Sequence, residues 1–172
     1  ILDPNDPKVL YAGTNYLWRD DASGWSGRLG AKQLSSTGTI TCIAVAPGDP
    51  NRIYTGSWDG EVWMTKNRGE NWEAIRIGSG LGSSLPDRAI FALSINPTNE
   101  NDLLVGVSGT GTSHLWRCAD TTATYRYWAD VSGVTSKKLP DISLNTIERD
   151  PWDPNTTWYI GNDVGVFLTS DG

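Results

Sequence analysis

Two carboxylates stand where chemistry on a hydroxyl-rich ligand is conceivable: Asp163, within Asn162-Asp163-Val164-Gly165, and Asp59, beside Trp58. Each follows a short apolar run and precedes a glycine by one or two positions, as a side chain presented on a tight turn between strands would. An inverting glycosidase needs an acid and a base carboxylate on opposite walls of a cleft, roughly 6.5–9.5 Å apart. Trp58-Asp59 is the more site-like pair, because an exposed ring stacks on sugar faces while a carboxylate bonds hydroxyls. The same residues also have a plain structural reading. Asp59-Gly60 is a hairpin-turn dipeptide, and Trp58 in that reading covers a neighbouring sheet. Matching turns elsewhere contribute Asn15 and Tyr16 and the Ser108 to His114 stretch. The candidate ligand contacts are therefore Tyr16, Trp58, Asp59, His114 and Asp163.

Other chemistries find little support. His114 is the sole histidine and reads as a solvated loop residue. With two scattered cysteines it leaves no His/Cys metal constellation, and no cofactor is expected. Cys42 lies in the alternating strand ITCIAVA and Cys118 where a hairpin begins, so both are expected to be free, mostly buried thiols. The formal net charge is −6 and charges of both signs are interspersed, which argues against a nucleic acid or an anionic membrane as partner. Lys137-Lys138 is too short for an anion patch. No apolar run approaches the roughly 20 residues needed to cross a bilayer as a helix.

The candidate turns belong to a repeat. LDPNDPKVLYAGT from Leu2, VAPGDPNRIYTGS from Val45, INPTNENDLLVGV from Ile95 and RDPWDPNTTWYIGN from Arg149 superpose. Their prolines are Pro4, Pro47, Pro97 and Pro151, and they close on Gly13, Gly56, Gly106 and Gly161, spaced 43, 50 and 55 residues apart. That spacing is in or slightly above the range of four-stranded propeller blades. The 172 residues include 19 Gly, nine Pro and nine Trp, which suits short strands joined by turns and almost no helix. The fold expected is all-β, a partial β-propeller of about three and a half to four four-stranded antiparallel blades. The blade units run approximately 1–36, 37–80, 87–133 and 142–172, the first and last incomplete.

First strands, next to the central channel, are expected at Ile40 to Ala46, Ile90 to Asn96 and Leu144 to Arg149, with none in the first unit. Second strands fall at Val9 to Ala12, Ile53 to Thr55, Leu103 to Val105 and Trp158 to Ile160. Third strands carry Trp18, Trp63, Trp116 and Phe167 in one column, as core aromatics filling the same wedge between sheets. Fourth strands are expected near Ala31 to Leu34, Trp72 to Ile77 and Trp128 to Val131. Gly- and Ser-rich loops, Ile77 to Arg88 and Ser132 to Leu139, complete the units.

One turn between third and fourth strands is complete: TKNRGENW, Thr65 to Trp72. Thr65 and Asn67 are placed to bond nearby backbone, Gly69 permits positive φ, and Trp72 packs as the next strand starts. The third unit's copy is degenerate, with Cys118 for the hydroxyl residue, Asp120 at the acidic position and Trp128 matching Trp72. The first, Asp20 to Trp25, keeps Asp21, Gly24 and Trp25. The fourth begins at Thr169, Ser170, Asp171 and Gly172.

TKNRGENW, the repeated DPN…YxG segment and NDVGVFLTSDG together resemble the bacterial BNR/Asp-box propeller superfamily, including its sortilin-like and sialidase-like members. The resemblance covers essentially the whole chain and implies a propeller. Thr65, Asn67, Gly69, Trp72, Asp120, Trp128, Thr169 and Asp171 then have structural roles in the Asp boxes, and any site lies on the opposite face. Tyr159 to Gly165 also resembles the Asp-Val-Gly-Gly stretch of two-propeller xyloglucanases, which implies a catalytic role for Asp163, although Val166 replaces the second glycine. Sialidase chemistry requires an arginine trio and a Phe/Tyr-Arg-Ile-Pro motif. Asn51-Arg52-Ile53-Tyr54 has only the Arg-Ile core, and strand two accounts for it.

The reading reached is a non-catalytic Asp-box propeller segment, a rigid platform for a polysaccharide or protein ligand. The resemblance further implies an exported bacterial protein, extracellular or periplasmic. A fragment of a xyloglucanase-like endo-β-glucanase is the alternative, with Asp163 as one carboxylate. A third possibility is a subunit that completes a ring by self-association. Both ends break the repeat in mid-unit, so either the remainder of a longer propeller chain or a second copy is expected as partner.

Overall fold

A computed structural model of the chain describes residues 1–78, 83–134 and 137–171. The middles of the two Gly/Ser-rich loops, 79–82 and 135–136, and Gly172 of the last turn lie outside the described residues. The first sheet holds β1 (Leu2–Asp3), β2 (Asp6–Gly13), β3 (Leu17–Asp20) and β4 (Trp25–Arg28). The second holds β5 (Ile40–Ala46), β6 (Asp49–Ser57), β7 (Val62–Thr65) and β8 (Glu73–Ala74). The third holds β9 (Ile90–Asn96), β10 (Asn99–Val107), β11 (Leu115–Cys118) and β12 (Ala129–Asp130). The fourth has three strands, β13 (Leu144–Arg149), β14 (Trp158–Asn162) and β15 (Gly165–Thr169). Each sheet is an antiparallel meander in chain order, and the first strands of successive sheets, β5, β9 and β13, lie side by side. The chain is all-β and forms part of a β-propeller.

Side-chain alternation builds the spaces between blades. A strand with period two shows opposite faces at successive residues, so a blade sandwiched between two others must be apolar on both. Ile53 of β6 faces the first blade and Tyr54 the third, and both are fully buried. In β10, Leu103 and Val105 face the second blade while Leu104 faces the fourth. Three hydrophobic clusters result, one at each interface between neighbouring blades. Trp63, Trp116 and Phe167 each pack against the cluster shared with the preceding blade, opposite Thr55, Val105 and Ile160 of their own second strands.

The repeated glycines close those interfaces. A β-carbon at Gly13 would lie 2.6 Å from Ile40 Cβ, at Gly56 2.5 Å from Ile90 Cγ2, and at Gly106 2.4 Å from Leu144 Cδ2. In each case the obstacle is the first residue of the next blade's innermost strand. Backbone bonds clasp the same junctions, with Ile40 N donating to Thr14 O at 2.7 Å and Ser108 N to Ala89 O at 2.9 Å. Close approach of two strands, and not φ, is what reserves these positions for glycine.

The structure changes several expected boundaries. The first unit does have an innermost strand, the two-residue β1, whose Leu2 pairs with Leu10. Its fourth strand is Trp25–Arg28 rather than Ala31 to Leu34, because Trp25 already pairs with Asp20 and the chain then leaves the sheet. Leu34 instead bonds the β2–β3 turn, its N–H donating to Asn15 O at 2.9 Å. Cys42 and Cys118 are free, the latter buried. Burial pushes the Cys42 thiol up to about 12 and that of Cys118 up to about 11, so neither is a ready nucleophile.

Replacing Gly56 with alanine drives a methyl group into Ile90 and should destabilise the fold by about 1–3 kcal/mol, a typical cost of overpacking. Urea unfolding followed by tryptophan fluorescence measures it, and an unchanged midpoint would contradict the interlock.

Candidate functional site

In a meander of four strands the 1–2 and 3–4 turns meet at one end of every blade, while the 2–3 turns and the 4–1 loops meet at the other. Tyr16, Trp58, Asp59, His114 and Asp163 all belong to the second end, the upper face. The structure brings only some of them into use.

Trp58 heads the β6–β7 turn and is 61% exposed. Its ring centroid lies 5.7 Å from that of Phe91, the second residue of β9, with the planes tilted by 41°. Asp163 occupies the equivalent turn between β14 and β15, also exposed, and accepts a hydrogen bond of 2.7 Å from Asn145 Nδ2, the second residue of β13. Trp58 thus belongs to the second blade and Asp163 to the fourth, on the same face, with Phe91 of the third blade between them, since β9 lies beside both β5 and β13. Sequence reading missed Phe91 and Asn145, taking them as strand residues. No local pattern marked them: each is the residue skipped at a register irregularity between the first and second strands of its blade, which re-aims its side chain.

Asp59 is committed elsewhere. Its Oδ1 accepts from Ser57 Oγ at 2.6 Å and Ser35 Oγ at 2.9 Å, and its Oδ2 from Ser36 N at 2.7 Å, Thr37 N at 3.2 Å and Ser36 Oγ at 3.2 Å. Partial burial works against its charge, but these donors outweigh it and hold the carboxyl well below the usual carboxylate range. The side chain fastens the loop between the first and second blades to the β6–β7 turn. A carboxylate bonded this fully is neither a proton donor near neutral pH nor an effective base.

His114 was expected to be a solvated loop residue and is instead 2% exposed. The β10–β11 and β12–β13 loops wrap over it: His114 Nε2 lies 3.0 Å from Asp141 Oδ1, Gly111 N donates to the same oxygen at 2.7 Å, and Gly109 N donates to Ser143 Oγ at 2.8 Å. These bonds from His114 and Gly111 hold the Asp141 carboxyl below its ordinary range. Asp130 is also engaged, accepting from Ser113 Oγ and from Ser132 N. Tyr16 is half-buried beneath the Arg28 guanidinium, 4.8 Å from the ring centre. Among the described residues no group of three or more His, Cys, Asp or Glu side chains is placed to hold a metal ion.

The lower face carries the 3–4 turns. In Thr65 to Trp72, Gly69 N donates to Thr65 Oγ1 at 2.9 Å and Asn71 N to Asn67 Oδ1 at 3.0 Å. Thr65 Oγ1 lies 2.9 Å from Asn67 Oδ1. Two successive left-handed residues, Arg68 at φ 52° and Gly69 at φ 89°, reverse the chain. Its polar groups are thus used internally. The lower face also exposes Trp25 of the first unit's turn and three aromatics that sequence reading did not single out, Tyr125, Tyr127 and, at 90%, Trp152.

No protein-family profile matches the chain. It is 26% identical over 167 residues to a xyloglucanase from a Paenibacillus species, covering 88% of this chain and 15% of that protein. It is 24% identical over 210 aligned positions to a xyloglucanase from Acetivibrio thermocellus, covering all of this chain and 24% of that protein. The chain therefore spans less than a quarter of the length of these curated relatives. Among solved structures, an ancestral GH74 enzyme superposes with a TM-score of 0.72 at 16% identity, over 99% of this chain and 22% of that one. The GH74 xyloglucanase from Xanthomonas campestris does so at 0.67 and 20% identity, over 99% and 28%. These superpositions establish the propeller fold; activity is argued from the site.

Asp59→Asn would turn an amide N–H₂ toward backbone donors and should cost about 1–3 kcal/mol. Because the folded pKa is lowered, the wild-type contribution is present above the unfolded value of about 4 and is lost as pH falls below it. Urea midpoints of both proteins between pH 3 and 7 check this, and a difference that does not shrink in acid would contradict it.

Proposed function

We propose that this chain is part of a xyloglucanase-like propeller acting on β-glucan, and that its own contribution is the saccharide-binding upper face. The observation that carries this reading is the placement on one face of an exposed indole, Trp58 against Phe91, and an open carboxylate, Asp163 against Asn145, with the third blade between them. A neutral polysaccharide offers apolar pyranose faces and many hydroxyls, which such a pair suits, and the chain's acidity is no obstacle to a ligand without charge. The xyloglucanases found among its relatives supply the substrate class. The turns between third and fourth strands fit Asp boxes of structural type, with the site on the opposite face.

Within this reading Asp163 is one reacting carboxylate. Its one side-chain bond among the described residues comes from the neutral Asn145 amide, which leaves its other oxygen open to a substrate hydroxyl. Inversion needs a second carboxylate across the cleft. Asp59, Asp130 and Asp141 are already bonded within their loops and Asp87 pairs with Arg76, and in this reading the partner carboxylate is supplied from outside this chain. The chain alone therefore binds β-glucan without cleaving it, which also accommodates the platform reading.

Calorimetric titration with xyloglucan oligosaccharides should show saturable binding that Trp58→Ala weakens at least about tenfold, as loss of an anchoring aromatic does. Asp163→Asn should leave binding within about twofold, since a charge-neutral amide still bonds hydroxyls. Absence of binding by the wild-type chain would sink the proposal. Hydrolysis by the wild-type chain that Asp163→Asn abolishes would overturn the claim that the second carboxylate lies elsewhere.

A further inference from the structure

The repeat makes the upper face comparable blade by blade. Ser57, Val107 and Asn162 pair with the first residues of their innermost strands, Ile40, Ile90 and Leu144. The residues that come next, Trp58, Ser108 and Asp163, are therefore equivalent stations on the second, third and fourth blades. Trp58 N donates to Thr39 O as Ser108 N does to Ala89 O, each at 2.9 Å. The outer two stations carry the saccharide site proposed above. The middle one is a serine, so a ligand that runs from the indole to the carboxylate crosses a blade whose own station offers one short side chain.

The loop that enters the third blade supplies what Ser108 lacks. Leu29, Ile75 and Val131 leave the fourth strands alike, donating N–H to Leu17 O, Val62 O and Leu115 O. Beyond Ile75 and Val131 the chain reaches the next innermost strand through one repeated turn, Leu85-Pro86-Asp87-Arg88-Ala89-Ile90 and Leu139-Pro140-Asp141-Ile142-Ser143-Leu144. Arg88 N donates to Pro86 O and Ile142 N to Pro140 O, both at 2.9 Å, so Arg88 and Ile142 are equivalent. The residue two ahead of Ile40 is Gly38. A cation is thus no requirement of the turn, since the second blade has glycine there and the fourth isoleucine.

Arg88 lies between the 2–3 turns of the second and third blades. A β-carbon at Gly60, two residues after Trp58, would stand 2.9 Å from Arg88 O. One at Gly109, next to Ser108, would stand 3.2 Å from Arg88 Nε and 3.3 Å from its Cδ. The side chain therefore crosses the third blade's station, and three residues further along the same segment Phe91 meets Trp58. Arg88 Nη1 donates to the Asp87 carbonyl at 3.2 Å, while the Asp87 carboxylate pairs with Arg76 at 3.0 Å. Among the described residues no carboxylate lies within ion-pair distance of Arg88. In a chain with 20 acidic residues against 14 Lys and Arg, an exposed guanidinium without a carboxylate keeps donors for a ligand.

We propose that Arg88 is the third blade's ligand-binding residue, donating to two hydroxyls on adjacent carbons of the sugar unit that lies between the one stacked on Trp58 and the one presented to Asp163. This role presupposes the saccharide-binding upper face proposed above. A guanidinium is a planar fork whose parallel N–H groups match a pair of neighbouring oxygens, and a neutral sugar supplies such pairs without charge. Stacking on Trp58 tolerates sliding along the glucan chain, because every pyranose has an apolar face. A directional fork does not, so Arg88 sets which unit stands before Asp163.

Calorimetric titration of the 172-residue chain with xyloglucan oligosaccharide tests this, with Trp58→Ala alongside. Arg88→Met keeps an apolar stem over Gly109 and removes the fork. It should weaken binding at least about tenfold, as loss of hydrogen bonds from a charged donor does, with the urea midpoint and the Trp58 indole resonance of the free protein unchanged. Arg88→Lys, which keeps the charge on a compact head, should fall between the two. Binding by Arg88→Met within about twofold of wild type, while Trp58→Ala weakens it, would overturn the role of Arg88 and leave the upper-face site standing. Weaker binding accompanied by a lower midpoint or a shifted Trp58 resonance would also overturn it, since Arg88 would then support the turn. A wild-type chain that does not bind would remove both.

Discussion

The fold depends on one close contact made three times. The first residue of each innermost strand, Ile40, Ile90 and Leu144, sits where a β-carbon on the preceding blade would be, over Gly13, Gly56 and Gly106. Blades can approach this closely only because that position has no side chain. The contact sets the spacing from which the rest follows: how far apart the second strands lie, how large a residue fits between them, and where the innermost strands point their remaining side chains. Thr41, Phe91 and Asn145 are the next residues along, each at an irregularity in the pairing with its second strand. Thr41 bonds Gly56 O and Ile90 O, while Phe91 and Asn145 meet Trp58 and Asp163 on the upper face.

Polar groups then fix what hydrophobic packing leaves loose. Between the third and fourth blades Asp102, 2% exposed, accepts from Arg117 Nη2 at 2.8 Å, Arg149 Nη2 at 2.8 Å and Asn96 Nδ2 at 3.1 Å. Burial opposes its charge, but the Arg117 bonds and the Arg149 charge outweigh that and keep the carboxyl ionised. A buried cluster of this kind adds little net stability but tolerates only one arrangement of the two blades. Asp59 serves on the upper face in the same sense, holding a loop against a turn. Asp163 differs from both, because its one neutral partner leaves it open to a ligand.

Architecture was far more legible in the sequence than the site was. Proline-to-glycine spacing located the second strands, since the glycines answer a steric demand that recurs in the first three blades. The first blade was read less well. A register irregularity between Trp25 and Arg28, where Gly27 has positive φ, adds a residue to its fourth strand. Trp25 therefore stands four residues ahead of Leu29, where Trp72 and Trp128 stand three ahead of Ile75 and Val131, and it is 51% exposed instead of packed. Among the candidates, Trp58 is exposed and Asp163 is open. The satisfaction of Asp59 by Ser35 to Thr37 and the burial of His114 beneath two loops depend on contacts between segments far apart in sequence, which no local pattern announces. Phe91 and Asn145 went unnoticed because each lies inside an apolar strand pattern and its partner, Trp58 or Asp163, is more than fifteen residues away in sequence.

The central claim, that ligand recognition belongs to the upper face, is tested most directly by following the nine indole N–H signals in a nuclear magnetic resonance titration with xyloglucan oligosaccharide. Exposed tryptophans mark both ends of the blades, Trp58 above and Trp25 and Trp152 below, so the molecule carries its own control. Saturable movement of the Trp58 signal, with those of Trp25 and Trp152 unmoved, is the predicted result. Movement of Trp152 or Trp25 with Trp58 silent would place the ligand on the lower face and contradict the account.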